Sequence, residues 1–399
     1  MLKLLNKNYI LVFLLLFFSG NTLSTLLFGK FSIIIGLFLT ISLLIPNLRI
    51  EKNFIKKYKF IFFGILLISL LQFMFLPSVS YLAISNLLLK ILMGGIIVNY
   101  LKDQFVYYFF KVIASLSLIS LFFFIMINIL GVTIPHISLG LDINSYFIYG
   151  TSGEIHMLKN AGMFWEPGAH AGILTLCLAL NLKNLKFYWS QYQFQLVIII
   201  LTLLTTQSTT GYLAGFLILL FYFFKPKNIA ISLIASTILF AVGYYIYETT
   251  DFLKDKIESQ FEKTNEQGIG DFSNSRFGSL IFDWHYIAKH PLIGNGFDEK
   301  TRYADHQFLF SGTKGDVIGS GNGFSHYLAC MGIFFMIGYF VLLWKATFVN
   351  GKLYGLLIIS LVLINLQGEQ WLNFPLYLGL PFLVLFRKEK QKTPPKYYS

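Results

Sequence analysis

The feature that most constrains this chain is a succession of apolar runs divided by short clusters of lysine and arginine. A helix needs roughly 20 apolar residues to cross a bilayer, and fewer where protein shields it. Twelve runs qualify, at roughly 9–28, 31–48, 59–76, 80–101, 105–131, 166–182, 192–206, 210–224, 229–247, 322–345, 351–367 and 371–387. Hydrophobic residues make up 56% of the 399 positions and charged residues 13%, about half the charged share of soluble domains. One core cannot hide that surface, so lipid is its solvent. A soluble enzyme, a disulfide-stapled secreted protein and a disordered chain are excluded. The net charge of +12 does not point to nucleic acid, because the basic residues lie between apolar runs and form no continuous face. Cys177 and Cys330 both lie in apolar segments and signal neither a disulfide nor a zinc site. The first run lacks a small-residue cleavage site and reads as a span.

Charge fixes an orientation. With the N-terminus inside, the inner loops hold Arg49, Lys52, Lys56, Lys57, Lys59, Lys102, Lys183, Lys186, Lys225, Lys227, Lys345 and Lys352. The tail adds Arg387, Lys388 and Lys390, whereas the short outer loops hold only Lys30 and Lys159. This is the asymmetry of the positive-inside rule. The expectation is an all-α polytopic membrane protein, one integral domain over 1–399 with about twelve transmembrane helices and both termini inside. It carries a smaller external loop at 132–165, a large structured external loop at 248–321 and a tail at 388–399. In the large loop, Phe252, Ile257 and Phe261 recur at near-helical spacing among charges, which describes a short amphipathic helix. A second runs from Ser275 to about Lys289, capped by Ser273 or Asn274, with Phe277, Ile281, Trp284 and Ala288 on one face. His290-Pro291 stops it, and Gly294 and Gly296 make a turn.

Transporters, channels and intramembrane enzymes share this outline, so the polar residues must decide. Glu166 and His170 stand four apart where Pro167 opens the sixth span. They read either as a helix cap or as a base and its orienting partner at the membrane interface. Arg276 falls on the first turn of the second loop helix, the wrong end of the dipole for a cation unless an anion binds there too. Arg302 and His290 lie further along the same loop, as solvated charges or as parts of a basic pocket. Ser208 and Thr209 can satisfy backbone at a tight interhelical turn or line a polar pocket. Asn322, among Gly319, Gly321 and Gly323, can hydrogen-bond a sugar where the backbone comes close to something. The membrane-interface aromatic belt accounts for Trp371 but not for Glu369 beside it. All these candidates fall on the outer side. There is no P-loop, GxGxxG, HExxH or DxD-like signature. Cations with a carboxylate and no metal signature suggest an activated, membrane-delivered donor with an anionic leaving group, such as a lipid-linked pyrophosphate sugar.

The segment Gly162-x-Phe164-x-Glu166-Pro167-Gly168 resembles the motif of bacterial O-antigen and exopolysaccharide polymerases. Ser208-Thr209-Thr210-Gly211-Tyr212 is similar to their Ser-(Arg/Thr)-Thr-Gly segment. The stretch from Ser275-Arg276 through Trp284 to His290-Pro291-Leu292-Ile293-Gly294-Asn295-Gly296-Phe297 resembles the hallmark of the O-antigen ligase–polymerase superfamily. Asn322 matches the Asn of that superfamily's His-Asn motif. The motifs run from about residue 150 to 345. Two positions depart from the pattern: Gly321 stands where ligases place a His, and Thr209 where an Arg is frequent.

The resemblance implies a GT-C-like glycosyltransferase of the bacterial inner (cytoplasmic) membrane, needing no cofactor or metal. It would move a growing glycan from an undecaprenyl-diphosphate carrier onto a lipid-linked repeat unit on the periplasmic side. Arg276, with Arg302, would hold the diphosphate. Glu166, with His170, would orient or deprotonate the acceptor hydroxyl. Asn322, Ser208, Thr209, Glu369 and His290 would bind substrate, and a chain-length regulator could be a partner. A ligase delivering finished glycan to lipid A core or protein is the alternative within the superfamily, with His326 in place of the missing His. A transporter of lipid-linked glycan is the alternative of another class, disfavoured by the clustering of polar residues on one side.

Overall fold

The computed structural model describes residues 6–47, 51–138, 143–146, 149–152, 159–223, 237, 276–303 and 321–385. Within them the protein is a helical membrane bundle. Five helices are long and apolar enough to cross a bilayer: Thr22–Leu44, Lys52–Phe75, Tyr81–Leu101, Gln104–Ile129 and Gly323–Asn350. Lys7–Phe17, Gln193–Thr205, Thr209–Phe223 and Lys352–Gly368 are shorter apolar helices. We number the α-helices α1 (Lys7–Phe17), α2 (Thr22–Phe28), α3 (Ser32–Leu44), α4 (Lys52–Phe75), α5 (Tyr81–Leu101), α6 (Gln104–Phe124), α7 (Pro167–Asn181), α8 (Leu185–Gln191), α9 (Gln193–Thr205) and α10 (Thr209–Phe223). There follow α11 (Arg276–Lys289), α12 (Glu299–Arg302), α13 (Gly323–Thr347), α14 (Lys352–Gly368) and α15 (Pro375–Gly379). Phe60, Phe63, Leu67, Leu70 and Met74 form one exposed stripe along α4, a surface that suits lipid and not water. Apart from Thr237, the run at 229–247 lies outside the described residues, as do the amphipathic segment around 252–261 and the tail 388–399.

Three segments differ from the hydropathy reading. The run 9–28 is not one helix. It breaks at Phe18–Asn21, where Gly20 adopts φ +104, a conformation that only glycine enters at no cost. A Cβ on Gly20 would fall 2.0 Å from the ring of Trp165, so the break makes the seat for that side chain. Asn21 Nδ2 donates to the carbonyl of Met163 at 2.7 Å and fixes the same contact. The run 371–387 is not a spanning helix either. It is a 3₁₀ turn (Trp371–Asn373), the five residues of α15 and a second 3₁₀ turn (Leu380–Phe382). Pro375 and Pro381 interrupt it, and α15 lies on α5 with almost nothing between the backbones: a Cβ on Gly94 would sit 2.0 Å from the Pro375 carbonyl. Finally, the loop at 132–165 holds an antiparallel meander of β1 (Ile137–Ser138), β2 (Ile143–Tyr146) and β3 (Tyr149–Ser152), so the described chain is helical but not wholly α.

A helix, α11, covers the described part of the expected second amphipathic helix (its caps Ser273 and Asn274 lie outside the described residues), and it turns a different face inward. Ser279, Phe282, Asp283, Tyr286 and Ile287 of α11 are buried against α13, while Ile281, Trp284 and Ala288 are exposed. Hydrophobic periodicity selects the wrong face because the buried one contains a charge that is paired inside the protein.

Helix α13 is broken at Gly332 (φ 72, ψ 179). A break inside a membrane helix leaves backbone groups that must find partners, and the turn at 291–296 supplies them. Ile333 N donates to Pro291 O (2.9 Å) and Phe334 N to Leu292 O (3.3 Å). In the other direction Asn295 N donates to Ala329 O (2.8 Å) and Gly296 N to Cys330 O (2.9 Å). Gln72 of α4, fully buried, donates to Ile293 O at 2.6 Å and to Cys330 O at 2.9 Å. The Pro-Leu-Ile-Gly-Asn-Gly turn thus packs on the broken helix and ties the end of α11 to the break.

Candidate functional site

Helix α7 begins at Pro167, whose fixed φ and missing N–H suit a first helical position. Glu166 precedes it in extended conformation (φ −154, ψ 161), and its side chain makes no capping bond to the helix. Cap geometry therefore does not account for this carboxylate. Its neighbour across the bundle is Glu369, the residue that ends α14. A Cβ on Gly168 would lie 2.7 Å from Oε1 of Glu369 and 3.4 Å from Oε1 of Glu166. Both carboxylates thus face one glycine, which leaves them room. Glu369 is buried, and its Oε2 accepts a hydrogen bond from Trp165 Nε1 at 3.1 Å. Trp165 sits in the Gly20 break and stacks on Phe374 with centroids 4.9 Å apart.

The start of α13 meets the end of α14 at the same place. Asn322 caps α13, its Oδ1 accepting from Phe324 N and Ser325 N, both at 3.1 Å. Its Nδ2 donates to Gln367 Oε1 at 2.5 Å. A Cβ on Gly323 would fall 2.1 Å from the carbonyl of Glu369. The first turn of α11 joins them, for Gly321 N donates to Ser279 Oγ at 2.9 Å. Arg276, three residues earlier, opens that turn; its side chain lies outside the described part. The N-terminal turns of α7 and α13 therefore meet at Glu369, and the first turn of α11 reaches Gly321 just ahead of α13; helix N-termini offer N–H groups and positive potential to anions.

The other sequence candidates distribute differently. Ser208 caps α10, its Oγ accepting from Gly211 N at 3.2 Å, and Gly211 packs against Ala171 of α7. The hydroxyl of Thr209 is buried with no hydrogen-bond partner among the described residues. His170 is buried, with Nδ1 3.3 Å from the carbonyl of Asn160 and its ring beneath Gly162. That engagement places it in the wall behind Glu166. His290 follows the far end of α11, which at 14 residues is about 20 Å long, so the structure separates it from the Arg276 turn. Trp371 is wholly buried and stacks on Tyr377 at 4.7 Å, a core residue and not part of an interface belt.

Arg302 is fully buried in α12 and paired with Asp283 of α11. The rings of Phe282, Tyr286 and Tyr303 surround its guanidinium at 5.3, 4.9 and 4.7 Å. Burial opposes its charge, but the paired Asp283 carboxylate favours it, and its pKa lies above the ordinary guanidinium value. Ser325 Oγ donates to the second oxygen of Asp283. Among the described residues, no three His, Cys, Asp or Glu side chains cluster as metal ligands.

Sequence reasoning missed Asp283, Ser325, Trp165 and Asn160. Asn160 is fully buried and ties three elements together: Ser120 of α6 donates to its Oδ1, as does Gly162 N at 3.0 Å, and its Nδ2 donates to Thr205 of α9 at 3.0 Å. The signal available for Trp165 was its place inside the Gly-Met-Phe-Trp-Glu-Pro-Gly run.

The molecule is therefore a helical membrane protein whose polar and acidic residues meet at one end of a bundle, around a broken helix and the turn that fills it. A model of the O-antigen ligase family matches residues 194–340, from α9 to beyond the helix break at Gly332, so this segment is similar to that family. No curated protein matches the chain. Glu166 and Glu369 both lie outside the matched residues, one on each side of them.

Proposed function

We propose that this protein is a polysaccharide polymerase of the inner membrane. It transfers a growing glycan from an undecaprenyl-diphosphate carrier onto a lipid-linked repeat unit on the outer side. The observation that carries this reading is the convergence of Glu166, Glu369 and Asn322 with the turn that Arg276 opens. An acid-bearing acceptor site and an anion-binding helix start are what a transfer from a diphosphate donor requires. In this reading Glu166 takes the proton of the acceptor hydroxyl as that oxygen attacks the anomeric carbon. Arg276 and the N–H groups at the start of its helix stabilise the charge on the departing diphosphate. Glu369 and Asn322 position sugar, and a single displacement inverts the anomeric centre. Because Arg302 is engaged by Asp283, the diphosphate falls to Arg276.

The orientation has support from the opposite end of the bundle. There Lys183 and Lys352 flank the α7–α14 contact in which Tyr354 donates to the carbonyl of Leu180, and Lys57 donates to that of Pro381. Basic residues at one end and carboxylates at the other agree with a cytoplasmic and a periplasmic face.

A ligase is the second reading, favoured by the description of the matching family. Against it, Gly321 replaces the expected His, and His326 is buried with its Nε2 3.7 Å from Cys330 Sγ. The deciding measurement is the length distribution of lipid-linked glycan in cells deleted for this chain. Single repeat units, still exported and attached, support the polymerase. Long polymer stranded on its carrier supports the ligase. Repeat units trapped on the cytoplasmic side would overturn both in favour of a transporter.

A further inference from the structure

We propose that Asp283 is a positioning residue that sets where the Arg276 turn stands against the Asn322–Glu369 site; this rests on the role given to Arg276 above. Asp283 is wholly buried in the middle of α11. One of its oxygens meets Arg302 and the other accepts from Ser325, in the first turn of α13. One turn earlier on the same face, Ser279 Oγ accepts from Gly321 N. These two contacts hold the first half of α11 to the first turn of α13, where Asn322 makes its bonds.

An apolar residue at 283 would pack α11 against α13 without the desolvation a buried charge incurs. What the charge adds is register. Apolar faces tolerate sliding, whereas a carboxylate shared between Ser325 and Arg302 has one place to be. A slip of one turn would carry Arg276 about 5.4 Å from its position, and misplacement of about 1 Å can cost 10²-fold in rate. The ring cage holds the Arg302 guanidinium, the counter-charge of Asp283, at a fixed point.

The test uses the full chain in vesicles, with lipid-linked repeat unit extracted from cells lacking this protein. The main variant is the double substitution Asp283→Leu/Arg302→Met, which removes the pair without leaving either charge alone. Asp283→Asn, which keeps an acceptor for Ser325, is the milder companion. A cysteine pair, Ser279→Cys with Gly321→Cys, reports the contact through its crosslinking yield, independently of activity.

For a folded double variant we expect kcat to fall about 10- to 100-fold while KM for the extracted donor moves less than about threefold. The crosslinking yield should fall with it. In an Arg276→Ala background the double substitution should add no further loss, because both act through the same group. Full activity in a folded double variant, unchanged crosslinking, or losses that add to those of Arg276→Ala would each overturn the proposal. If Arg276→Ala alone keeps wild-type activity, the role of Arg276 fails, and the crosslinking yield by itself then supports or overturns the docking role of Asp283.

Discussion

Two charged clusters lie within a few turns of each other and are built on opposite principles. Asp283, Arg302 and Ser325 form a closed set, buried and walled by aromatic rings. Glu166 and Glu369 put two like charges on one glycine, beside two helix starts and under the indole of Trp165. The closed set has its opposite charge inside it. The carboxylate pair instead sets two like charges toward one glycine, beside the indole N–H of Trp165. The sequence put Arg302 beside Arg276 at the diphosphate and Glu369 among the residues that would bind substrate. The structure sets the two apart: Arg302 is paired inside the fold with Asp283, whereas Glu369 meets Trp165 and Gly168 where the starts of α7 and α13 come together.

The sharpest way to test the contrast is to neutralise each cluster and ask which property changes. Glu166→Gln keeps shape and removes the base, so glycan transfer should fall about 10²- to 10⁴-fold. The melting temperature of the detergent-purified protein should move far less than for Arg302→Ala, because Glu166 is only half-buried and Gln keeps its shape. A Glu166→Gln protein that polymerises normally would remove Glu166 from the chemistry. Arg302→Ala should do the reverse. It leaves Asp283 buried and alone, at a cost of about 3–5 kcal/mol, visible as a fall in thermal stability and in the yield of folded protein. An Arg302→Ala protein that melts like wild type but loses donor binding would show that the guanidinium serves substrate after all.

The two clusters also differ in how far the sequence could reveal them. Hydropathy located α4, α5, α6, α7, α9, α10, α13 and α14, because burial in lipid is a property of a run and needs no knowledge of neighbours. Glu166, Asn322 and Glu369 stood out for the same kind of local reason: a charge or amide beside glycines at the end of an apolar run. Their meeting is not local, since Glu166 and Glu369 are some 200 residues apart in the chain. Asp283 and Ser325 were passed over because each looks ordinary until the other is in place. The break at Gly20 and the shortness of α15 depend on contacts with Trp165 and Gly94, which no periodicity in either segment encodes. The role of the 291–296 turn, read as a stop signal, is likewise legible only against the Gly332 break.

That break links the closed cluster to the membrane, and a glycine pair tests it. At Gly332 the backbone is one that side chains rarely adopt, and a Cβ would meet the Leu292 carbonyl at 2.3 Å. Gly332→Ala should cost about 1–3 kcal/mol from the backbone alone, with a further loss as the 291–296 turn is displaced. Gly338, in the same helix with open space at its Cβ, should tolerate alanine with a gain of about 0.5–1 kcal/mol. Equal melting temperatures for the two variants would mean that the turn does not support the break.

The smallest effect separates the carboxylates from each other. Trp165→Phe keeps a ring between Gly20 and Phe374 but removes the N–H that Glu369 accepts. A hydrogen bond to a charged group contributes about 1.5–3 kcal/mol, part of which water restores at this half-buried position. The loss in kcat/KM should therefore be about tenfold, with melting unchanged because the stacking remains. If Glu369 positions sugar, that loss should fall mainly on KM for the acceptor, whereas Glu166→Gln should act on kcat. The same kcat-dominated pattern in both variants would mean that the two carboxylates act as one unit, with Trp165 tuning the pair and not the sugar site.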